Sequence, residues 1–214
     1  LATMRAPASV RETAGDLRFR LPVVVMDGAA LYDMEQKRYL HTCPLPKDVV
    51  LGCEAVFRER RVHCFLNGVL DDNLMIYYGA FYNDAEREIF EKLRTSPYRN
   101  YVSRAYYRDC PILYLAGIER TGRVQELHGA LERAGMLERA RARIDPAAGC
   151  PGYSYIRIYD RNSSRQAMLE RLKADLNIGK SVLLTSKEGC GDVVVRGGVN
   201  EAVKRLERLY EPYP

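Results

Sequence analysis

The chain has 214 residues, 47% of them hydrophobic, which is enough apolar surface for one large core or two small ones. Lys and Arg number 33 against 28 Asp and Glu, a formal charge of +5, and the basic residues are spread along the chain, so a nucleic-acid partner is not expected. No apolar run approaches the roughly eighteen residues of a spanning helix, so no membrane role is expected and the reading is cytoplasmic.

In chain order, Leu1, Ala2 and Thr3 have the character of the end of a buried strand. Ser9 and Glu12 form a Ser-x-x-Glu capping box opening a helix expected to reach Leu17. Residues 21–26 are a short, β-branched apolar run, as in a strand buried on both faces, and complete a β-α-β unit. A polar turn over 33–37 and a strand over 38–42 then form a hairpin. Apolar residues at Val49, Val50, Cys53, Val56 and Phe57 recur with the helical period over 47–60. The basic run 58–61 at its end is read as a solvated helix terminus.

Residues 62–66 and 73–78 read as strands, with Asn67-Gly68 as a turn signal and Asp71-Asp72 as a polar hairpin turn. Asn83 caps an amphipathic helix over 84–94. The aromatic and basic stretch 98–107 has no clear period. A strand over 111–118 and a helix over 122–134, capped by Thr121 and closed by Gly135, follow. Residues 142–144 are a short strand candidate and 145–152 a boundary loop. Strands at 153–159, 181–185 and 192–195 and helices at 164–176 and 198–210 complete the chain. Strand-helix alternation at both ends with an α+β middle points to a parallel α/β core carrying an inserted lobe.

Several of these segments resemble one family. Thr3-Met4-Arg5, Ser9-Val10-Arg11-Glu12 and the run Pro22-Val23-Val24-Val25-Met26-Asp27-Gly28-Ala29-Ala30-Leu31-Tyr32-Asp33 resemble the second motif, its helix and the strand leading into the cap of haloacid-dehalogenase-like (HAD-like) phosphatases, Cof-type branch. In that family Gly usually stands where Met4 is and Asn where Asp27 is. The resemblance implies an α/β fold with a Rossmann-like, HAD-like parallel-sheet core over 1–30 and 153–214 and an α+β cap over 31–152. It also implies that Thr3 and Arg5 hold a substrate phosphate beyond the carboxyl ends of the core strands.

Such phosphatases attack phosphorus with an Asp two residues before a second, acid-base Asp, and Mg2+ screens the carboxylates from the incoming phosphate. No Asp-x-Asp occurs in this chain, so the resemblance puts the nucleophile upstream of Leu1 and the chain as it stands is expected to be inactive. The family's third-motif Lys falls at Ser164 or Arg165, and Arg165 keeps the charge in planar form. The fourth motif, which binds the metal, falls at residues 183–192, where Glu188 and Asp192 have roughly suitable spacing but the Gly-Asp signature is lost.

The resemblance thus implies a Mg2+-dependent phosphohydrolase for a small phosphorylated metabolite. The alternative is a degenerate member, a pseudoenzyme that binds a phosphorylated ligand or a protein partner. An uncovered core edge also admits a homo-oligomer. The six cysteines, with no C-x-x-C, read as free thiols in a reducing compartment, and His41, His63 and His128 read as structural or surface residues.

Overall fold

The computed structural model describes every residue except 16, 98, 186–187, 189–190, 197–200, 202–203, 205–207 and 209–214. The chain divides into two compact units, Leu1–Leu172 and Lys173–Pro214.

In the first unit, residues 1–3 run parallel to β1 (Val23–Val25), with Ala2 bridging Val24, and helix α1 (Pro7–Ala14) makes the crossover. Pro7 starts α1 earlier than the Ser9 capping box suggested, since its fixed φ and missing N–H suit a first helical position. The capping box is not formed: the Ser9 hydroxyl accepts from Arg99, and the Glu12 carboxylate accepts from Ser96 and Arg99. Strand β1 is wholly buried and continues through a tight turn into β2 (Ala30–Asp33) and β3 (Arg38–Thr42), forming an antiparallel three-stranded sheet.

Helix α2 (Lys47–Glu59) follows the expected period and buries Val49, Val50, Cys53, Val56 and Phe57. Next come β4 (Phe65–Leu70), β5 (Asn73–Tyr78), α3 (Asp84–Leu93), β6 (Asn100–Ser103), β7 (Ile112–Arg120), α4 (Thr121–Arg133), β8 (Ala140–Pro146), β9 (Tyr153–Asp160) and α5 (Arg165–Asp175). Asn67-Gly68 lies inside β4 and is not a turn, while the hairpin turns at Asp71-Asp72 as expected, both at positive φ as a type I′ turn requires. Glycine at 68 answers a close approach: a Cβ there would lie 2.5 Å from Cys110 Sγ.

Strands β4 to β9 form one six-stranded sheet in the order β6-β5-β4-β7-β9-β8. The expected boundary after Gly152 falls between β8 and β9, which pair along their length. One face of the sheet packs α2 and α4 through Leu66, Leu115, Ile156 and Ile158. Alternation along the strands sends Tyr114, Tyr155, Arg157, Arg141 and Arg143 to the opposite face.

In the second unit, β10 (Leu184–Thr185) pairs in parallel with β11 (Val193–Val194). Of the helix expected over 198–210, only Glu201, Lys204 and Arg208 are among the described residues, and they are helical. Among the described residues no helix is long and apolar enough to cross a membrane. Five of the six cysteines are described, and all five are free.

Candidate functional site

The turn between β1 and β2 places three consecutive residues at positive φ: Met26 at 49°, Asp27 at 56° and Gly28 at 91°. Aspartate tolerates this region and glycine is indifferent to it, whereas a methionine there is strained. Backbone hydrogen bonds pin the turn. The Met26 N–H donates to the Arg5 carbonyl at 2.9 Å and the Asp27 N–H to the Thr3 carbonyl at 3.0 Å. Gly28 is required because a Cβ would come within 2.1 Å of the Ser164 carbonyl carbon, at the start of α5.

This turn presents the buried Asp27 carboxylate to three arginines. Arg141 donates through Nη1 to Oδ2 at 2.9 Å, through Nη2 to the Asp27 carbonyl at 2.8 Å, and through Nε to the Ser163 carbonyl at 2.5 Å. Arg165, at the first position of α5, reaches Oδ1 through Nε at 3.1 Å. Arg143 lies 3.4 Å from Oδ1.

Arg143 stands directly opposite Arg157 on β9, an arrangement of like charges that costs stability unless an anion intervenes. Asp145 does intervene, binding Arg143 Nε at 2.9 Å and Arg157 Nη1 at 3.0 Å. The hydrogen bonds that Arg143 donates to Asp145 raise the Arg143 pKa above its ordinary value. Tyr159 lies beneath the Arg141 guanidinium, whose central carbon is 4.6 Å from the ring centroid. Four guanidiniums are therefore held by two carboxylates, leaving the network a local excess of two positive charges.

Of the residues expected from the sequence, Thr3 and Arg165 meet at Asp27, Thr3 through its backbone. Arg5 joins the same loop through its carbonyl, but its guanidinium turns away to donate to Thr13 Oγ1 at 2.7 Å. Glu188 and Asp192 belong to the second unit. There Glu188 pairs with Arg196, and the Asp192 carboxylate accepts the Leu183 N–H at 2.7 Å. Among the described residues no three His, Cys, Asp or Glu side chains are grouped to share a metal ion.

Sequence reasoning did not single out Arg141, Arg143, Asp145, Arg157 or the ligating role of Asp27. The available signal was the alternation Arg141-Ala142-Arg143-Ile144-Asp145, a strand with its charges on one face.

The family model for haloacid dehalogenase-like hydrolases matches residues 1–185. Among solved structures, the HAD subclass IIB sugar phosphatase BT4131 aligns with a TM-score of 0.66 at 14% identity, covering 96% of this chain and 84% of that one. A haloacid dehalogenase-like hydrolase from Bacteroides thetaiotaomicron aligns with a TM-score of 0.66 at 13% identity, over 96% and 85% of the two chains. A third match, from work on a trigonal-bipyramidal intermediate in a phosphoryl-transfer superfamily, has a TM-score of 0.54 and 15% identity, and covers 83% of this chain. The present chain spans 61% of that protein's length. No curated protein sequence matches. The fold is thus the α/β, Rossmann-type fold of HAD-like proteins, and the chain belongs to the haloacid dehalogenase-like hydrolase family.

Proposed function

We propose that the arginine network around Asp27 is the phosphate-ester site of a HAD-like phosphohydrolase acting on a small phosphorylated metabolite. The observation that supports it is the charge count: four guanidiniums held by two carboxylates carry an excess close to the charge of a phosphate monoester dianion. Guanidiniums bind phosphate oxygens in pairs of parallel N–H···O bonds, a geometry a lysine cannot give. In this reading Arg165 takes the part of the family's third-motif lysine, and Arg141 and Arg143 close over the anion from the six-stranded sheet. Thr3 and Arg5 hold the loop that carries Asp27.

Mg2+ belongs to the reading as the family's usual cofactor. The described residues do not form a site for it, Glu188 and Asp192 being engaged by Arg196 and by the Leu183 N–H, so no step is routed through the ion. A second reading, a family member that binds a phosphorylated ligand without turning it over, is favoured by Asp27 itself. Its carboxylate is committed to three arginines.

Titration calorimetry with inorganic phosphate tests the site, and hydrolysis of p-nitrophenyl phosphate with and without Mg2+ separates the readings. Phosphate binding that weakens at least about tenfold in Arg165→Ala supports the site, since a charge-assisted bond contributes about 1.5–3 kcal/mol. Binding that is absent or indifferent to Arg165 overturns it. Mg2+-dependent turnover by the natural full-length protein selects the enzyme, and binding without turnover by that protein selects the degenerate member.

A further inference from the structure

The face of the six-stranded sheet opposite α2 and α4 carries a cavity of about 250 Å3, and the cross-strand register accounts for it. Ala116 stands near the middle of that face, with Phe65 of β4 opposite it on one side and Arg157 of β9 on the other. In the neighbouring row Asn67 lies between Tyr114 and Ile76, and Tyr101 lies beyond Ile76. A single methyl among rings and long side chains leaves a hollow, which Phe90 of α3 lines from the other side.

The polar groups around this hollow exceed the partners that the protein gives them. Asn67 is only 3% exposed, yet its Nδ2 makes one long bond, 3.4 Å to the Phe65 carbonyl, and its Oδ1 has no partner among the described residues. The hydroxyls of Tyr101, Tyr114 and Tyr155 have none among those residues either, nor has the buried Nε of Arg99. Burial raises the pKa of all three tyrosines above the ordinary value, against the charge of Arg99, which acts on each of them. The phenols therefore stay neutral around one guanidinium, and each can both donate and accept.

The cations here are already matched, Arg99 to Glu12 at 2.9 Å and Arg157 to Asp145 at 3.0 Å, so an anion would have to displace a carboxylate. An apolar ring would fill the volume but leave three hydroxyls and an amide oxygen unpaired, which is costly. A polyol satisfies both demands: its hydroxyls donate and accept as Asn67 and the tyrosines require, and its C–H groups rest on Phe65 and Phe90. At about 30 Å3 per water the cavity holds roughly eight waters, room for a molecule of monosaccharide size.

We propose that this cavity binds a neutral, hydroxyl-rich small molecule of monosaccharide size, held by Asn67 and the Tyr101, Tyr114 and Tyr155 hydroxyls over Ala116. The site needs no phosphate. The Arg143–Asp145–Arg157 bridge separates it from Asp27, so it stands apart from the proposed phosphate-ester site.

Saturation-transfer NMR on the whole chain in phosphate-free buffer tests it with D-glucose, D-ribose, myo-inositol and phenol as probes. At least one polyol should receive magnetisation at its C–H protons, with a Kd on the order of 1 mM, and inorganic phosphate should not displace it. Tyr101→Phe removes one hydroxyl and keeps the ring; it should weaken that binding about threefold to tenfold and leave the melting temperature unchanged. The proposal is overturned if no polyol receives transfer, if phenol receives more than every polyol, if phosphate abolishes the signal, or if Tyr101→Phe binds as the wild type does. The wild-type comparison needs no variant, and because it is made without phosphate, this proposal and the phosphate-ester reading fail separately.

Discussion

Arg143 and Arg157 face each other across the β8–β9 pair, and the Asp145 carboxylate lies between them, within 3.0 Å of a nitrogen on each. Without that anion the two guanidiniums would face each other with their shared acceptor gone.

Replacing Asp145 with Asn should therefore lower stability by about 1–3 kcal/mol, because two partly buried guanidiniums lose their shared acceptor while still facing each other. Part of the loss should return on adding phosphate or raising salt, which supplies a mobile anion and screens the repulsion. Thermal melts of the variant with and without 50 mM phosphate, a concentration on the order of a weak ligand's Kd, check this. A melting temperature indifferent to both mutation and phosphate would show that the bridge contributes nothing.

On the proposed reading, Asp27 is a tethered stand-in for an external anion. Asp27→Asn keeps a residue that accepts positive φ while removing the charge that competes for Arg141 and Arg165. Phosphate affinity should rise about tenfold, a gain of about 1.4 kcal/mol. Ligand-free stability should fall by about 1–2 kcal/mol, less than for a fully buried pair because these arginines are partly exposed. Calorimetry and denaturant unfolding read the two effects, and a loss of phosphate affinity would mean that Asp27 belongs to the ligand site as a contact.

Gly28→Ala should be the most damaging added methyl among the described glycines. The residue has φ 91°, and the added carbon would meet the Ser164 carbonyl carbon at 2.1 Å, backbone that cannot swing aside. The cost is about 3 kcal/mol or more, combining positive-φ strain with displacement of α5. Soluble expression and urea unfolding check it; a stable variant with unchanged phosphate binding would contradict the close approach.

Away from the site, Glu86 and His63 give opposite pH responses. Burial pushes the Glu86 carboxyl up to about 7, with the backbone N–H of Tyr82 partly countering and Glu119 adding to the rise. A raised folded-state pKa favours the protonated form, so this contribution is full below about 4.5, falls as pH rises and is lost above about 7. Burial, and then the charge of Arg104, push His63 down to about 4, so its contribution is full above about 6.5 and lost as pH falls through about 4. Over the shared window the two slopes oppose, and wild-type stability should be flat. Glu86→Gln should leave only the histidine limb, with stability rising by on the order of 2 kcal/mol between pH 4 and 6.5. Unfolding curves across that range decide; an unchanged profile would mean that Glu86 does not titrate there.

Elements with a strong local period were legible from sequence. Helix α2 was readable from Val49, Val50, Cys53, Val56 and Phe57, and α3 from Asn83, whose side chain accepts the Glu86 N–H at 2.9 Å. The parallel relation of Ala2 to Val24 followed from an apolar run separated from the first by a helix. What failed locally was decided by distant chain. Ser9 and Glu12 have the pattern of a cap, but Arg99, ninety residues beyond Ser9, takes both. Asn67-Gly68 has the pattern of a turn, but Cys110 packs where a side chain would stand.

Within the site, Arg165 could be placed by likeness to a family motif, whereas Arg141 and Arg143 could not. Their tolerance for each other and for Arg157 depends on Asp27 and Asp145, one of them more than a hundred residues away. Charge clusters of this kind are balanced in space rather than along the sequence.

The Met26-Asp27-Gly28 turn fixes when the entropy of ordering is lost. Three left-handed residues in succession cost on the order of 1–3 kcal/mol each where the side chain resists, and here hydrogen bonds from Met26 and Asp27 to Arg5 and Thr3, with Arg141 on the Asp27 carbonyl, admit one arrangement. The loop is thus immobilised during folding, before any anion arrives. At the proposed site, an incoming anion would displace a carboxylate from donors that already point at it, so recognition would be an exchange between two anions in a rigid frame, with little of the chain left to order.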